Sequence, residues 1–301
     1  MSNRWWTYQK ERFPILIHGP VIAAFGFSSI GFSSLLRGRA AFPSPFAVLV
    51  ACVASFVFFL QLRIADEFKD YEDDARYRPY RPVPRGLVTL PELKWIGIAG
   101  ALIQFGLSLL LASSLVLLLS ATWLYMALMS KEFFVPEWLK ARPLAYLVSH
   151  MLIIPFIHLY TTACDWLAAG AAPPPGLGWF LMLSFFNGIV IEVGRKIRAP
   201  EDEEPGVDTY SALWGRSTAV QAWLSAAAVA AFAAVLAARR IGAALPVAGL
   251  LGILLCAAAI TAWRFLRKPI TCRARLFEPV SGLWTLVVYL SLGAAPLLLH
   301  G

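Results

Sequence analysis

Nine stretches of mainly apolar residues, most close to twenty long, follow one another along this chain: 14–36, 42–64, 93–112, 114–130, 142–163, 177–195, 217–238, 242–263 and 279–299. A helix needs about 20 such residues to cross the hydrocarbon core of a bilayer, since each residue advances it by only about 1.5 Å. Within that core every backbone N–H and C=O must be bonded inside the protein, and helices satisfy this segment by segment. The expected fold is therefore an all-α integral membrane protein with nine transmembrane helices, forming one domain over 1–301. Composition agrees, with 59% hydrophobic and 15% charged residues and a mean hydropathy of +0.67; a soluble domain carries about a quarter charged residues. No small-residue cleavage site follows a short apolar core near the N-terminus, so no cleavable signal is expected.

Charge supplies an orientation. With the N-terminus inside, 22 of the 26 Lys and Arg fall on the inner side, leaving Arg37, Arg39, Arg239 and Arg240 outside. Retention of positive charge on the cytoplasmic face is the usual asymmetry, and a bacterial-type inner membrane is the expected location. The net charge of +8 follows from this topology first and from an anionic substrate second. Nucleic acid explains it poorly, because the basic residues are divided among membrane loops. The four cysteines show no metal-ligand spacing and read as free thiols.

The loops after the second and sixth stretches are long and hold most of the acidic residues. The first opens with Asp66, Asp70 and Asp74, four residues apart. On a helix each such step turns about 40° and rises about 6 Å, so the three carboxylates line one ridge where a membrane helix meets water. Carboxylates gather there mainly to hold something positive. Mg²⁺ suits hard oxygen ligands and commonly takes one or two carboxylates, with substrate phosphates completing its shell. Arg76, Arg78, Arg81 and Arg85 follow at once, interleaved with Pro79, Pro82 and Pro84. Their planar forks match phosphate oxygens, while a polybasic stretch resting on anionic lipid is the plainer reading.

The second loop runs from Asn187 through Glu192, Arg195, Lys196 and Arg198 to Glu201–Glu204, Gly206 and Thr209. Glu192 and Lys196 stand one turn apart, so a local ion pair competes with roles in holding metal and phosphate. His150 and His158, two turns apart, share a helix face, for which packing is the ordinary role. Tyr125 and Lys131 are cavity candidates by position.

These residues resemble the UbiA superfamily of intramembrane prenyltransferases. That family carries N/D-x₃-D-x₃-D after its second helix, matched by Asp66, Asp70 and Asp74, and continues R-P-x-R-P-x-x-R-G, matched by Arg78-Pro79 through Gly86. In its second motif, D-x₃-D, a glycine follows four residues after the last aspartate and a Ser or Thr three further on. Gly206 and Thr209 set that frame, which puts Asp202 at the last acidic position and Arg198 at the earlier one. The resemblance implies nine helices around a central cavity, with cytoplasmic cap loops after helices 2, 4, 6 and 8. It further implies Mg²⁺ as cofactor, an isoprenyl diphosphate substrate, an aromatic acceptor and membrane lipids as partners. Asp66, Asp70, Asp74 and Lys196 are the expected catalytic residues, with Glu192, Glu201 and Asp202 joining the aspartates as metal ligands. Arg63, Lys69, Arg78, Arg81, Arg195, Arg198, Asn187, Tyr125 and Lys131 are expected to meet diphosphate or acceptor. A terpene cyclase of the same superfamily would ionise its substrate identically. A transporter or lipid carrier would explain the helices without requiring the aspartate ridge.

Overall fold

The computed structural model describes residues 3–38 and 42–300; Arg39 lies outside them. Among the described residues there is helix but no strand. Eight helices are long and apolar enough to cross a membrane: α1 Ile15–Leu36, α2 Pro45–Lys69, α3 Leu90–Leu111, α5 Pro143–Trp166, α6 Leu177–Gly194, α7 Arg216–Arg239, α8 Ala244–Arg267 and α9 Thr271–Leu299. Between α3 and α5 lies α4, Leu115–Ser130, of 16 residues. That is about 24 Å of helix, less than the roughly 30 Å hydrocarbon thickness. Eight helices therefore meet the length a span needs, where nine were expected.

Most boundaries lie within a few residues of the hydropathy pattern; α2 is an instructive exception. It runs five residues past the expected end at 64 and so carries Asp66 and Lys69 inside the helix. Helix α5 breaks at Leu152, between Pro143–Met151 and Ile153–Trp166. Pro155 has no N–H to give the Met151 carbonyl, which removes one rung at that point. Helix α3 begins with a capping box: the Glu92 N–H donates to Thr89 Oγ1 at 3.4 Å, and the Thr89 N–H to Glu92 Oε2 at 2.9 Å.

Small residues set the core. Helix α1 is threaded by Ser28, Ser29, Gly31, Ser33 and Ser34, all buried, and α7 by a run of buried alanines from Ala226 to Ala238. Lipid offers helices no hydrophobic drive to associate, so close van der Waals approach between small residues does this work. Where α9 crosses α1, a Cβ on Gly293 would lie 2.1 Å from the Ser28 carbonyl oxygen. Only glycine fits there, within a π-helical stretch at Leu290–Ala294. Deep in the bundle His158 is fully buried, stacked on Phe25 at 3.6 Å and edge-on to Phe180 at 4.9 Å, with Nδ1 2.7 Å from Ser29 Oγ. It packs, as its sequence context suggests. At the end of the bundle away from the long loops, Arg37 pairs with Asp165 at 3.0 Å and Ser33 Oγ donates to the same carboxylate at 2.8 Å.

Candidate active site

The aspartate ridge survives the end of α2. Backbone N–H groups of Asp70, Asp74 and Arg78 donate to the carbonyls of Asp66, Asp70 and Asp74 at 2.9, 2.8 and 2.9 Å. Helical register thus continues through Asp70 into the short helix Tyr71–Tyr77. The three carboxylates keep different company. Asp74 is 1% exposed and gripped by Arg78 at 2.7 Å and Arg81 at 2.6 Å, with Arg12 at 3.9 Å. Asp66 is partly exposed, 3.7 Å from Arg63. Asp70 forms no side-chain ion pair among the described residues. Burial, and then the like charge of Asp66, push its carboxyl above the usual carboxylate range.

At the end of α6 Glu192 is shared by two cations, Arg195 at 2.5 Å and Lys196 at 3.1 Å. The local pairing read from the sequence is therefore present, and Glu192 holds the Arg195 guanidinium more firmly protonated than usual. The Tyr210 N–H donates to the Lys196 carbonyl at 3.2 Å, and the Arg198 N–H to Ser211 Oγ at 2.8 Å. Glu201 accepts from the Thr271 N–H at 2.9 Å and hydroxyl at 3.0 Å, and Asp202 accepts from that hydroxyl at 3.0 Å. These bonds hold the Glu201 carboxyl below the usual range and tie the second loop to the start of α9.

The two loops meet. Gly206 has φ +74, and a Cβ there would lie 2.8 Å from the Tyr77 ring. Its frame partner Thr209 caps the helix Tyr210–Trp214 by accepting from the Ala212 N–H at 3.1 Å. Between the loops opens a polar cavity of about 460 Å³ whose walls include Arg78, Arg81, Arg198, Glu201, Asp202 and Arg275. Four arginine side chains around one hollow favour a multiply charged anion. Acids and bases more than a hundred residues apart in sequence thus line one space.

At the end of α2 Lys69 reaches across to α5. It donates a short hydrogen bond to the Tyr146 hydroxyl and lies 3.3 Å from Glu132. Glu132, Phe133 and Phe134 hold φ of 47, 53 and 61, a left-handed run of non-glycine residues that costs energy and recurs at functional sites. His150 stacks on Tyr146 with ring centroids 3.8 Å apart.

The remaining expected residues divide. Asn187 is 1% exposed, and neither side-chain polar atom makes a well-formed hydrogen bond. Tyr125 donates to the Ser149 carbonyl at 2.6 Å and stacks on Phe156, tying α4 to α5. Lys131 is exposed and does not join the cluster; the loop's left-handed turn sends its neighbour Glu132 inward to Lys69 instead. Sequence reasoning passed over Arg12, which pairs with the 2% exposed Glu67 at 2.5 Å, and also Arg275, Glu132 and Tyr146. Glu67 was the available signal: a carboxylate directly after Asp66 lies off the ridge and needs a cation of its own.

Among the described residues, no three His, Cys, Asp or Glu side chains group closely enough to hold a metal by themselves. The six-carboxylate set expected from the resemblance is not assembled: Asp74 is held by arginines, Glu192 by its own helix, and Glu201 and Asp202 by Thr271. Asp66 and Asp70 remain, one turn apart and repelling each other. They fit Mg²⁺, which takes one or two carboxylates and fills its shell with water and phosphate oxygens.

A profile of the UbiA prenyltransferase family matches residues 24–285. The fold is shared with a UbiA homolog from Aeropyrum pernix K1, at TM-score 0.68 and 15% identity over 94% of this chain and 98% of the other. A structure described as digeranylgeranylglyceryl phosphate synthase aligns at TM-score 0.57 and 17% identity, over 98% of this chain and 99% of that one. At these identities the likeness is one of fold. Among curated proteins, none matches this chain in sequence.

Proposed function

This chain belongs to the UbiA prenyltransferase family, and from that premise we propose that it is a Mg²⁺-dependent intramembrane prenyltransferase that ionises an isoprenyl diphosphate and transfers the prenyl group to an aromatic acceptor. One observation carries the reading: Arg78, one of four arginines that three separate segments bring around one cavity, lies close enough to act on the charge of Asp70, the ridge carboxylate without an ion pair among the described residues.

In this reading Asp66 and Asp70 hold Mg²⁺, which when bound offsets the charge of the diphosphate. Arg198 and Arg275 meet the phosphate oxygens, and Arg78 and Arg81 do so while keeping Asp74 in place. Donors fixed toward a leaving group stabilise the charge that grows there as the carbon–oxygen bond opens. Glu192 keeps Arg195 and Lys196 extended along the same end of α6. The prenyl tail lies among the apolar helices, where exclusion of water protects the allylic cation until the acceptor attacks.

The test is purified protein with a panel of prenyl diphosphates and aromatic acceptors, with and without Mg²⁺, products read by mass spectrometry. Mg²⁺-dependent diphosphate release with a prenylated acceptor is the expected result. A cyclic hydrocarbon formed without acceptor would reassign the protein as a cyclase, and no diphosphate release from any substrate would remove the enzyme reading.

A further inference from the structure

The two loops at the candidate site differ in what their charges are free to do. On the first, Asp70 forms no ion pair among the described residues, and Asp66 one turn away has only Arg63 at 3.7 Å. On the second, the acids are engaged. Glu201 accepts from the Thr271 N–H at 2.9 Å, and Thr271 Oγ1 lies 3.0 Å from both Glu201 Oε1 and Asp202 Oδ1. A cation shared by these two oxygens would have to sit between them, and the hydroxyl already stands there. Glu192, at the end of α6, is closed off by Arg195 and Lys196.

The bases of the second loop are free instead. Arg198 stands four residues before Asp202, where the motif frame has a carboxylate. Its backbone is fixed by the N–H bond to Ser211 Oγ at 2.8 Å, and its side chain lines the polar cavity with no ion pair among the described residues. Arg275 reaches the same cavity from the start of α9, likewise without an ion pair among the described residues. Its N–H donates to the Thr271 carbonyl at 3.0 Å, so the residue that engages the two carboxylates also carries Arg275 into place. A guanidinium has five donors and no acceptor, so it cannot ligate a metal. It bonds phosphate oxygens directly, two N–H groups at a time.

We propose that the protein binds its diphosphate substrate with one Mg²⁺ and not two, because Arg198 and Arg275 take the place of a metal on the second loop. This rests on the prenyl-transfer reading and deepens it. Asp66 and Asp70 hold the one ion, and the two guanidinium groups bond phosphate oxygens with no metal between. Arg78 belongs to both groups, since it lines the cavity and lies close enough to act on the charge of Asp70.

The test counts Mn²⁺, a paramagnetic stand-in for Mg²⁺, bound to the purified full-length protein at saturating non-hydrolysable prenyl thiolodiphosphate, using electron paramagnetic resonance. Wild type should level off at one ion per chain with no coupling between metals; a second bound ion or a coupled spectrum would overturn the proposal. Arg198→Ala should still take one ion while its affinity for the analogue falls by about 10- to 10²-fold, and Arg198→Lys should recover part of that loss. Arg198→Asp, which puts a carboxylate four residues before Asp202, should take a second ion together with the analogue. Wild-type affinity for the analogue in Arg198→Ala, or an Arg198→Asp protein that binds the analogue with one ion only, would also overturn it. A wild type that binds neither the analogue nor Mn²⁺ beside it would instead defeat the prenyl-transfer reading itself.

Discussion

Asp70 and Asp74 stand one helical turn apart, yet Asp74 is neutralised by arginines while Asp70 is left beside Asp66 with no ion pair of its own among the described residues. This difference makes their substitutions separable. Under the proposed function, Asp70→Asn should lower diphosphate release by at least about 10²-fold, since a carboxylate proposed to hold Mg²⁺ at the site of charge development would be lost. Its melting temperature in detergent should hold or rise slightly, because a like-charge contact has gone. Asp74→Asn should instead strip the buried partner from Arg78 and Arg81 and cost about 3 kcal/mol of stability. A thermal melt beside a diphosphate-release assay reads both; equal loss of stability in the two variants would contradict the distinction.

Among the elements, the docking of the second loop on the Tyr71–Tyr77 helix rests on one glycine. Gly206→Ala must place a methyl at positive φ, at a cost of about 1–2 kcal/mol, and against the Tyr77 ring. The loop should loosen, so the KM for prenyl diphosphate should rise several-fold and proteolysis between 199 and 209 should quicken; unchanged cleavage would show that the contact does not hold the loop. The same loops show how far the sequence could be read. The spacing of Asp66, Asp70 and Asp74 is local, and helical geometry alone put them on one ridge. Helix ends were less legible. A hydropathy window closes at the first charges, but Arg, Glu and Lys are good helix formers, so α2 runs on to Lys69. The bonds that close the site were not legible at all. Arg12–Glu67, Thr271–Glu201 and Lys69–Tyr146 join residues 55, 70 and 77 positions apart. They arise from how the helices assemble, which no local pattern encodes. For the same reason the sequence could not show that five of the six carboxylates expected as metal ligands have partners within the protein.

For the whole molecule, three expectations follow from the gathering of charge at one end. Because no ready-made trio of metal-binding side chains is present among the described residues, Mg²⁺ alone should leave the melting temperature almost unmoved. Mg²⁺ with a prenyl thiolodiphosphate should raise it clearly, since a ligand stabilises only the state it binds; a large shift with metal alone would mean the shell is preassembled. Chelation should stop turnover and leave helix content intact by circular dichroism. Orientation can be read at Cys272, exposed at the start of α9 on the long-loop side. A membrane-impermeant maleimide should label it in inside-out vesicles and spare it in intact cells, and the reverse would invert the topology.

At the other end of the bundle, the pairing of Arg37, Ser33 and Asp165 has its own implication. It pins α1 to α5 by charge where little water reaches, so the end of the bundle remote from the motif loops is held together by a pair that neither helix can leave without stranding a charge.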